Sequence, residues 1–173
     1  RRRLGEIEKR FDSSNTIVNI DHHPTNDRYG HLNVVRAEAA ATAEVIYDLV
    51  QVLGIPVNRD MATALYAGML TDTGGFRYSN TSAVLLEKAA HLISSGASPS
   101  VLSDRLLETL TIGHVKLLKR ALEKMRFIQS EKICLISITQ ADLAESHAVP
   151  EDVDGIVSLP RSIEGVEVGV VLK

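Results

Sequence analysis

The chain has 173 residues and a mass of 18.9 kDa, with 45% hydrophobic and 24% charged residues, a globular composition that excludes wholesale disorder. Its 19 basic and 22 acidic residues give a net charge of −3, which argues against a surface that binds duplex DNA through excess Lys and Arg. The single cysteine, Cys134, excludes an internal disulfide and favours a reducing, cytoplasmic location. No apolar run reaches the roughly 20 residues that span a bilayer, so no membrane partner is expected.

The N-terminal part of the sequence predicts one strand followed by a loop and a helix. After a polar, helix-like opening at residues 4–11, the β-branched and apolar run 16–20 predicts a buried strand. Polar and turn residues from Asp21 to His31 predict a loop. Apolar residues at helical spacing then predict a helix over 38–53, which Gly54 closes.

Three further helices and a long amphipathic stretch follow. Asn58 is placed to cap a helix that leads into the glycine-rich turn 71–76. Another helix is predicted from about Thr81 to Ser95, and Ser98-Pro99 predicts the start of the next. The amphipathic pattern predicts a helix over 111–128, whose charged face is interpreted as solvated surface rather than a nucleic-acid site.

The pattern of apolar residues changes near Gln129, from a helical one to one that contains strands. The run 133–138 predicts a strand, two short helical stretches follow, and 166–172 predicts another strand. We therefore predict a first domain over residues 1–110, a linker helix over 111–128 and the beginning of a second domain over 129–173. Cys134 lies between apolar strand residues and is interpreted as an inert core thiol.

The strongest functional signal is Asp21-His22-His23-Pro24, which directly follows the first predicted strand. Ligands of α/β sheets bind at the carboxyl ends of strands, where the loops face a common crevice. Because neighbouring side chains of an extended segment point to opposite sides, we expect His22 and His23 to take different roles, one toward a metal and one toward a substrate. The alternative is a pair of hydrogen-bonded loop histidines. A site role for His31, later in the loop, also stays open.

The second signal is the run from Thr71 to Tyr78, which contains Asp72-Thr73-Gly74-Gly75 and Arg77. An aspartate among small hydroxyl residues and glycines lies where the backbone can approach a phosphate or a metal closely. Arg77 is suited to pair with a phosphate oxygen. Carboxylate and imidazole donors suit Mn²⁺, Mg²⁺, Fe²⁺ or Zn²⁺, and the lack of thiolates disfavours a structural zinc site. Read alone, the run is equally typical of a plain loop that ends a helix.

Together these motifs resemble the DHH phosphoesterase family, which is named for its Asp-His-His sequence. The resemblance is carried by residues 19–24, Asn26, the predicted helix 39–53 and the run 68–81. Within the family, the chain is most similar to the branch of oligoribonucleases (nanoRNases) and 3′-phosphoadenosine 5′-phosphate (PAP) phosphatases with a C-terminal DHH-associated domain. The resemblance implies an α/β fold: a partial parallel-sheet domain with helices on both faces, a linker helix and the start of a smaller α/β domain.

The resemblance also implies a two-metal phosphoesterase that uses two Mn²⁺ ions, with Mg²⁺ or Co²⁺ as alternatives. His22 and Asp72 would be metal ligands. His23 would lie nearer the scissile phosphate and would bind substrate together with Arg77, while Asp21 would support the site. The predicted catalytic residues are therefore Asp21, His22, His23 and Asp72.

The sequence departs from the family pattern at both ends. The family's first motif, a histidine followed by aspartate ligands, and the metal-binding aspartate of its second motif do not precede the strand at 16–20. The glycine-rich, histidine-containing substrate loop of the associated domain is also missing. We therefore expect a piece of a longer enzyme, inactive alone, that contributes only His22 and Asp72 to the metal site.

The expected function is metal-dependent hydrolysis of short oligoribonucleotides, of PAP, or of both, as an exonuclease and nucleotide phosphatase. The run 76–81 favours this branch, and a homodimer is left open. The alternatives are another DHH-family phosphohydrolase (a cyclic-dinucleotide phosphodiesterase, an inorganic pyrophosphatase or an exopolyphosphatase-like enzyme) and a noncatalytic nucleotide-binding module.

Overall fold

A computed structural model of the chain describes residues 16–173, so the helix-like opening predicted at 4–11 lies outside the described residues. The chain divides into two compact units between Thr109 and Leu110. Both units combine helices with strands, and the predicted α/β class with a parallel sheet is confirmed. Within residues 16–173, no helix is long and apolar enough to cross a membrane.

The first unit contains a two-stranded parallel sheet made of β1 (Val18–Asp21) and β2 (Leu32–Val35). β1 confirms the predicted strand but not its burial, because Val18 is 53% exposed and the buried residue of the strand is the polar Asn19. β2 lies where we predicted no element. Its four residues, Leu-Asn-Val-Val, are too few to show a period-two pattern, and turn residues precede them.

Four α-helices follow the sheet in the first unit, and a single π-helical turn at Asp104–Glu108 comes after the last of them. They are α1 (Thr42–Val52), α2 (Arg59–Asp72), α3 (Ala83–Ser94) and α4 (Pro99–Ser103). Asn58 caps α2 as predicted, because its side chain accepts the amide of Met61 at 2.9 Å. The helix predicted from Glu38 begins only at Thr42, since Ala41 has extended backbone with φ −151°.

The core of the first unit is formed by α1, α2 and α3. Its largest fully buried side chains include Met69, Leu85 and Leu92. Met69 and Leu70 lie in the last turn of α2, and both are buried in this core. Packing therefore fixes the position of Asp72, the last residue of that helix.

The second unit is built around a three-stranded sheet of β3 (Arg126–Ile128), β4 (Ile133–Ser137) and β5 (Val168–Leu172). The central strand β4 pairs antiparallel with β3 and parallel with β5. The helices of this unit are α5 (Ile112–Glu123), α6 (Gln140–Ser146) and α7 (Asp154–Val157), with short 3₁₀ turns at Pro150–Val153 and Pro160–Ser162.

The helix predicted over 111–128 is wrong at its C-terminal end. α5 ends at Glu123, and residues Arg126–Ile128 form β3, which pairs with β4. Tertiary pairing with a neighbouring strand outweighs the helical pattern in this short apolar run. Leu117 and Ala121 of α5 are buried with Ile136 of β4, so the helix is part of the core of the second unit.

Candidate active site

Asp21, the last residue of β1, holds the following turn through four accepted hydrogen bonds. Its Oδ1 accepts the backbone amides of His22 at 2.8 Å and His23 at 3.2 Å, and also Nδ1 of His23 at 2.7 Å. Its Oδ2 accepts Nδ2 of Asn26 at 2.6 Å. Burial raises the pKa of Asp21, but these hydrogen bonds outweigh burial and hold that pKa well below its usual range. The ionised Asp21 carboxylate thus stabilises the turn by accepting these hydrogen bonds, and it is poorly suited to accept a further proton.

Three asparagines connect the Asp21 carboxylate to the sheet. Nδ2 of the buried Asn19 donates to Oδ1 of Asn26 at 2.7 Å and to Oδ1 of Asn33 at 3.0 Å. Asn19 and Asn33 lie opposite each other in β1 and β2, and Asn33 Nδ2 donates to the carbonyl of Gly30 at 2.6 Å. A continuous polar network therefore runs from β2 to the carboxylate of Asp21, and its members satisfy one another.

The backbone of the Ala39–Ala41 segment orients His22. Nδ1 of His22 lies 3.2 Å from the carbonyl oxygen of Ala39. Because a carbonyl only accepts, Nδ1 donates to it, and in a neutral ring Nε2 has the lone pair that a metal would need. Nε2 lies 3.4 Å from Oδ2 of Asp72, so the two predicted metal ligands are brought together.

The two adjacent histidines lie on the same side of the turn. Their ring centroids are 4.4 Å apart in an edge-to-face arrangement, so the expectation that the rings point to opposite sides is wrong. The physical reason is that β1 ends at Asp21, and strand alternation does not extend to His22 and His23. Nδ1 of His23 donates to Asp21, which leaves its Nε2 as the ring atom able to accept or donate at a ligand.

Asp72 is tied to the same backbone segment as His22. Nδ2 of Asn80 donates both to the backbone carbonyl of Asp72 at 3.1 Å and to the carbonyl of Ala40 at 3.2 Å. One side-chain amide therefore joins the end of α2 to the residue next to Ala39, whose carbonyl orients His22. The Asp72 carboxylate itself remains 42% exposed and accessible to a ligand. Asn80 belongs to the sequence motif 68–81, but the sequence did not predict that its side chain joins the carbonyls of Asp72 and Ala40.

The Ala39–Ala41 segment is in turn fixed by charged side chains of α1 and α3. The amide of Ala40 donates to the carboxylate of Glu44 at 2.9 Å. Glu44 pairs with Lys88 at 2.8 Å, and Lys88 also pairs with Asp48 at 2.8 Å. Because Glu44 and Lys88 are largely buried, these contacts hold the segment firmly against the helices. No local sequence signal linked Glu44 to the site.

The glycine-rich turn after α2 adopts a left-handed backbone. Gly74, Gly75 and Phe76 have φ values of 56°, 74° and 60°. The amides of Gly74 and Gly75 donate to the carbonyls of Thr71 and Leu70, at 3.1 Å and 2.7 Å. These amides are thus used within the turn, and the expectation that the glycine backbone approaches a phosphate is not supported. Glycine is needed here for the conformation itself.

Arg77 lies on this turn with its guanidinium partly engaged. Its Nε donates to the carbonyl of Gly74 at 2.7 Å, and in the described part of the chain no partner contacts its two terminal nitrogens. Those nitrogens are suited to a phosphate. Among residues 16–173, no hydrogen bond or ion pair joins Arg77 to His22 or His23, so their shared role in substrate binding stays a prediction.

The donor set fits part of a divalent-metal site. Asp21, His22 and His23 have donor atoms within 4.8 Å of one another, but four hydrogen bonds already occupy the Asp21 carboxylate. His22 Nε2 and the exposed carboxylate of Asp72 are the better pair, since imidazole and carboxylate suit Mn²⁺ and related ions.

His31 has a structural contact instead of a site role: its Nδ1 accepts the amide of Ile17 at 3.0 Å, beside β1.

Known proteins were compared with the chain by sequence. No protein-family model matches it. The chain is 38% identical over 157 residues to the bifunctional oligoribonuclease and PAP phosphatase NrnA of Thermus thermophilus, an alignment that covers 91% of this chain and 47% of the relative. It is 29% identical over 161 residues to the probable protein of the same name from Streptococcus mutans, covering 93% of this chain and 51% of the relative. The chain spans about half the length of these curated relatives.

A solved structure has the same fold. An exopolyphosphatase-related protein from Bacteroides fragilis superposes with a TM-score of 0.78 at 25% identity, covering 86% of this chain and 44% of that chain. The fold, the Asp21–His23 turn and the Asp72 turn together resemble those of the DHH phosphoesterase family. Within that class, the resemblance to the branch of bifunctional oligoribonucleases and PAP phosphatases is confirmed.

Proposed function

We propose that the protein hydrolyses phosphoester bonds in short oligoribonucleotides, in PAP, or in both, as a metal-dependent cytoplasmic enzyme. The observation that carries the proposal is the approach of His22 Nε2 to the Asp72 carboxylate at 3.4 Å, which unites the two motifs in one site. The 38% identity to a relative with this name, along 91% of the chain, supports the choice of substrates.

In this proposal His22 and Asp72 hold Mn²⁺, with Mg²⁺ or Co²⁺ as alternatives. A divalent cation at this place supplies Lewis acidity and neutralises phosphate charge. Ala39 fixes the ring of His22 so that Nε2 faces Asp72, and the Asp21 carboxylate fixes the ring of His23 through Nδ1. His23 Nε2 is then the atom that holds or moves a proton at a phosphate oxygen. Arg77 binds phosphate through its terminal nitrogens.

The test is turnover by the protein at the full length of its relatives. With Mn²⁺, it should release mononucleotides from RNA of two to five nucleotides, or phosphate from PAP. His22→Ala and Asp72→Ala should each abolish turnover, whereas Lys119→Ala, an exposed change in the second unit, should leave it unchanged. No turnover of either substrate with Mn²⁺, Mg²⁺ or Co²⁺ would overturn the proposal.

A second candidate is another phosphohydrolase of the same class. It is favoured by the TM-score of 0.78 to the exopolyphosphatase-related protein of Bacteroides fragilis. A substrate panel with polyphosphate, pyrophosphate and cyclic dinucleotides separates the two candidates. Faster turnover of one of these than of dinucleotides would select the second candidate. Nucleotide binding without any turnover would select a noncatalytic nucleotide-binding module.

A further inference from the structure

Gly74 supports two side chains of its own turn at once. Its carbonyl accepts Nε of Arg77 at 2.7 Å. An ideal Cβ built on Gly74 would lie 2.3 Å from Cζ of Tyr78 and 2.6 Å from each of its Cε atoms. The three nearest atoms are ring carbons rather than the phenolic oxygen, so the glycine lies beneath the flat face of the ring. Arg77 and Tyr78 therefore converge on a single residue.

The backbone of Tyr78 is hydrogen-bonded on both sides, and the residue is still accessible. Its backbone amide donates to the carbonyl of Thr73 at 3.1 Å, and its own carbonyl accepts the amide of Thr81 at 3.0 Å. The residue is nevertheless 53% exposed. Gly74 covers one face of the ring, so this exposure comes from the rest of the residue. Single nucleobases stack on accessible aromatic rings, and such stacking tolerates any base.

The ring also lies close to the candidate site along the chain. Gly74 is the second residue after Asp72, whose carboxylate is 3.4 Å from His22 Nε2. Tyr78 and Asp72 are joined by a short turn whose backbone bonds converge on Thr73. The Arg77 guanidinium, the exposed Tyr78 residue and the Asp72 carboxylate thus lie on or next to one glycine turn.

We propose that Tyr78 is a stacking platform for one nucleobase of the substrate, with Arg77 beside it on a phosphate of the same nucleotide. The inference rests on the proposed function, because it takes a nucleotide as the ligand. It assigns selectivity for nucleotides over plain phosphates to Tyr78, without selectivity among bases. It also explains why residue 74 is a glycine, since any side chain at this position would displace the ring of Tyr78.

The chain has no tryptophan, so Tyr78→Trp introduces a single fluorescent reporter into the proposed platform. AMP, GMP and CMP should each quench its emission with saturation, and ribose 5-phosphate and pyrophosphate, which lack a base, should not. Phe127→Trp places the reporter at an exposed aromatic position of the second unit and should show no saturable quenching. Equal quenching by ribose 5-phosphate and AMP would overturn the inference.

A pair of variants tests the ring without a reporter. Tyr78→Phe keeps the ring and should bind AMP as the unchanged chain does. Tyr78→Leu should lower the affinity for AMP about 5- to 30-fold. In the protein at the length of its relatives, Tyr78→Leu should raise KM for dinucleotides more than it lowers kcat. Unchanged AMP affinity and KM in Tyr78→Leu, with hydrolysis intact, would overturn the inference and leave the proposed function standing. Failure of the unchanged protein to bind or hydrolyse any nucleotide would overturn both.

Discussion

The two turns that bring His22 and Asp72 together are held in opposite ways. Side chains hold the turn after β1, where the Asp21 carboxylate alone accepts four hydrogen bonds. Backbone conformation holds the turn after α2, where three successive residues from Gly74 have positive φ. The first turn is therefore sensitive to the loss of side-chain atoms, and the second to their addition.

Removal of the Asp21 carboxylate should have the largest effect. Asp21→Ala leaves Nδ1 of His23 without its acceptor and removes the shorter of the two hydrogen bonds that Nδ2 of Asn26 donates. We expect the free energy of unfolding to fall by about 3 kcal/mol. Urea unfolding measures this loss. Glu87→Ala, which removes an exposed carboxylate from α3, is the matched control and should change stability by less than about 0.5 kcal/mol. A similar small change in Asp21→Ala would contradict the role of side chains in this turn.

The pH dependence of stability should report the same carboxylate. Its pKa is lowered in the folded chain, so its contribution is complete above the unfolded value of 3.8 and is lost as the pH falls below that value. Asp21→Asn cannot titrate here. The difference in unfolding free energy between the unchanged chain and Asp21→Asn should therefore shrink between about pH 5 and pH 2. A difference that stays constant over this range would show that the carboxylate is not held by its donors.

An added methyl group should disrupt the second turn. We expect Gly74→Ala to cost about 2–3 kcal/mol, because it combines a left-handed backbone with a clash against the Tyr78 ring. Gly54→Ala is the matched control: its φ is +65° and no atom lies within 4 Å of the added Cβ, so it should cost only about 1 kcal/mol.

A double-mutant cycle isolates the contact with the ring. In the background of Tyr78→Ala, the cost of Gly74→Ala should fall to that of Gly54→Ala. If the cost is the same in both backgrounds, the ring does not lie on Gly74.

The smallest effect is expected where the two turns meet. Asn80→Ala removes the donor shared by the carbonyls of Ala40 and Asp72, and should cost about 1 kcal/mol. Since it loosens the support of both ligands, it should also weaken Mn²⁺ binding about 10-fold. Ser79→Ala, a neighbouring exposed change, should alter neither quantity, as measured by urea unfolding and Mn²⁺ titration. Equal Mn²⁺ affinity in both variants would contradict the positioning role of Asn80.

The local parts of the site could be read from the sequence. Asp21, His22 and His23 are consecutive in the sequence, and the cap of α2 follows from Asn58 and the helical pattern after it. The network of asparagines could not be predicted, because it depends on pairing of β1 with β2, and β2 was not predicted.

Long-range contacts account for the remaining differences. The bond from Asn80 to the carbonyl of Ala40 spans 40 residues, and no periodic pattern encodes such a pair. The ion pair of Lys88 with Glu44 could not be predicted from a periodic pattern either, and Glu44 fixes the Ala39–Ala41 segment. The shared orientation of His22 and His23 was missed because it depends on where β1 ends.

The central claim is that His22 and Asp72, from two separate motifs, form one cation site. It is tested most directly by adding substoichiometric Mn²⁺ to the isotopically labelled chain and following paramagnetic broadening by NMR. The amide signals of His22 and Asp72 should broaden together and first, and the effect should disappear in both His22→Ala and Asp72→Ala. Uniform broadening of exposed carboxylates, or broadening at His22 that persists in Asp72→Ala, would contradict the claim.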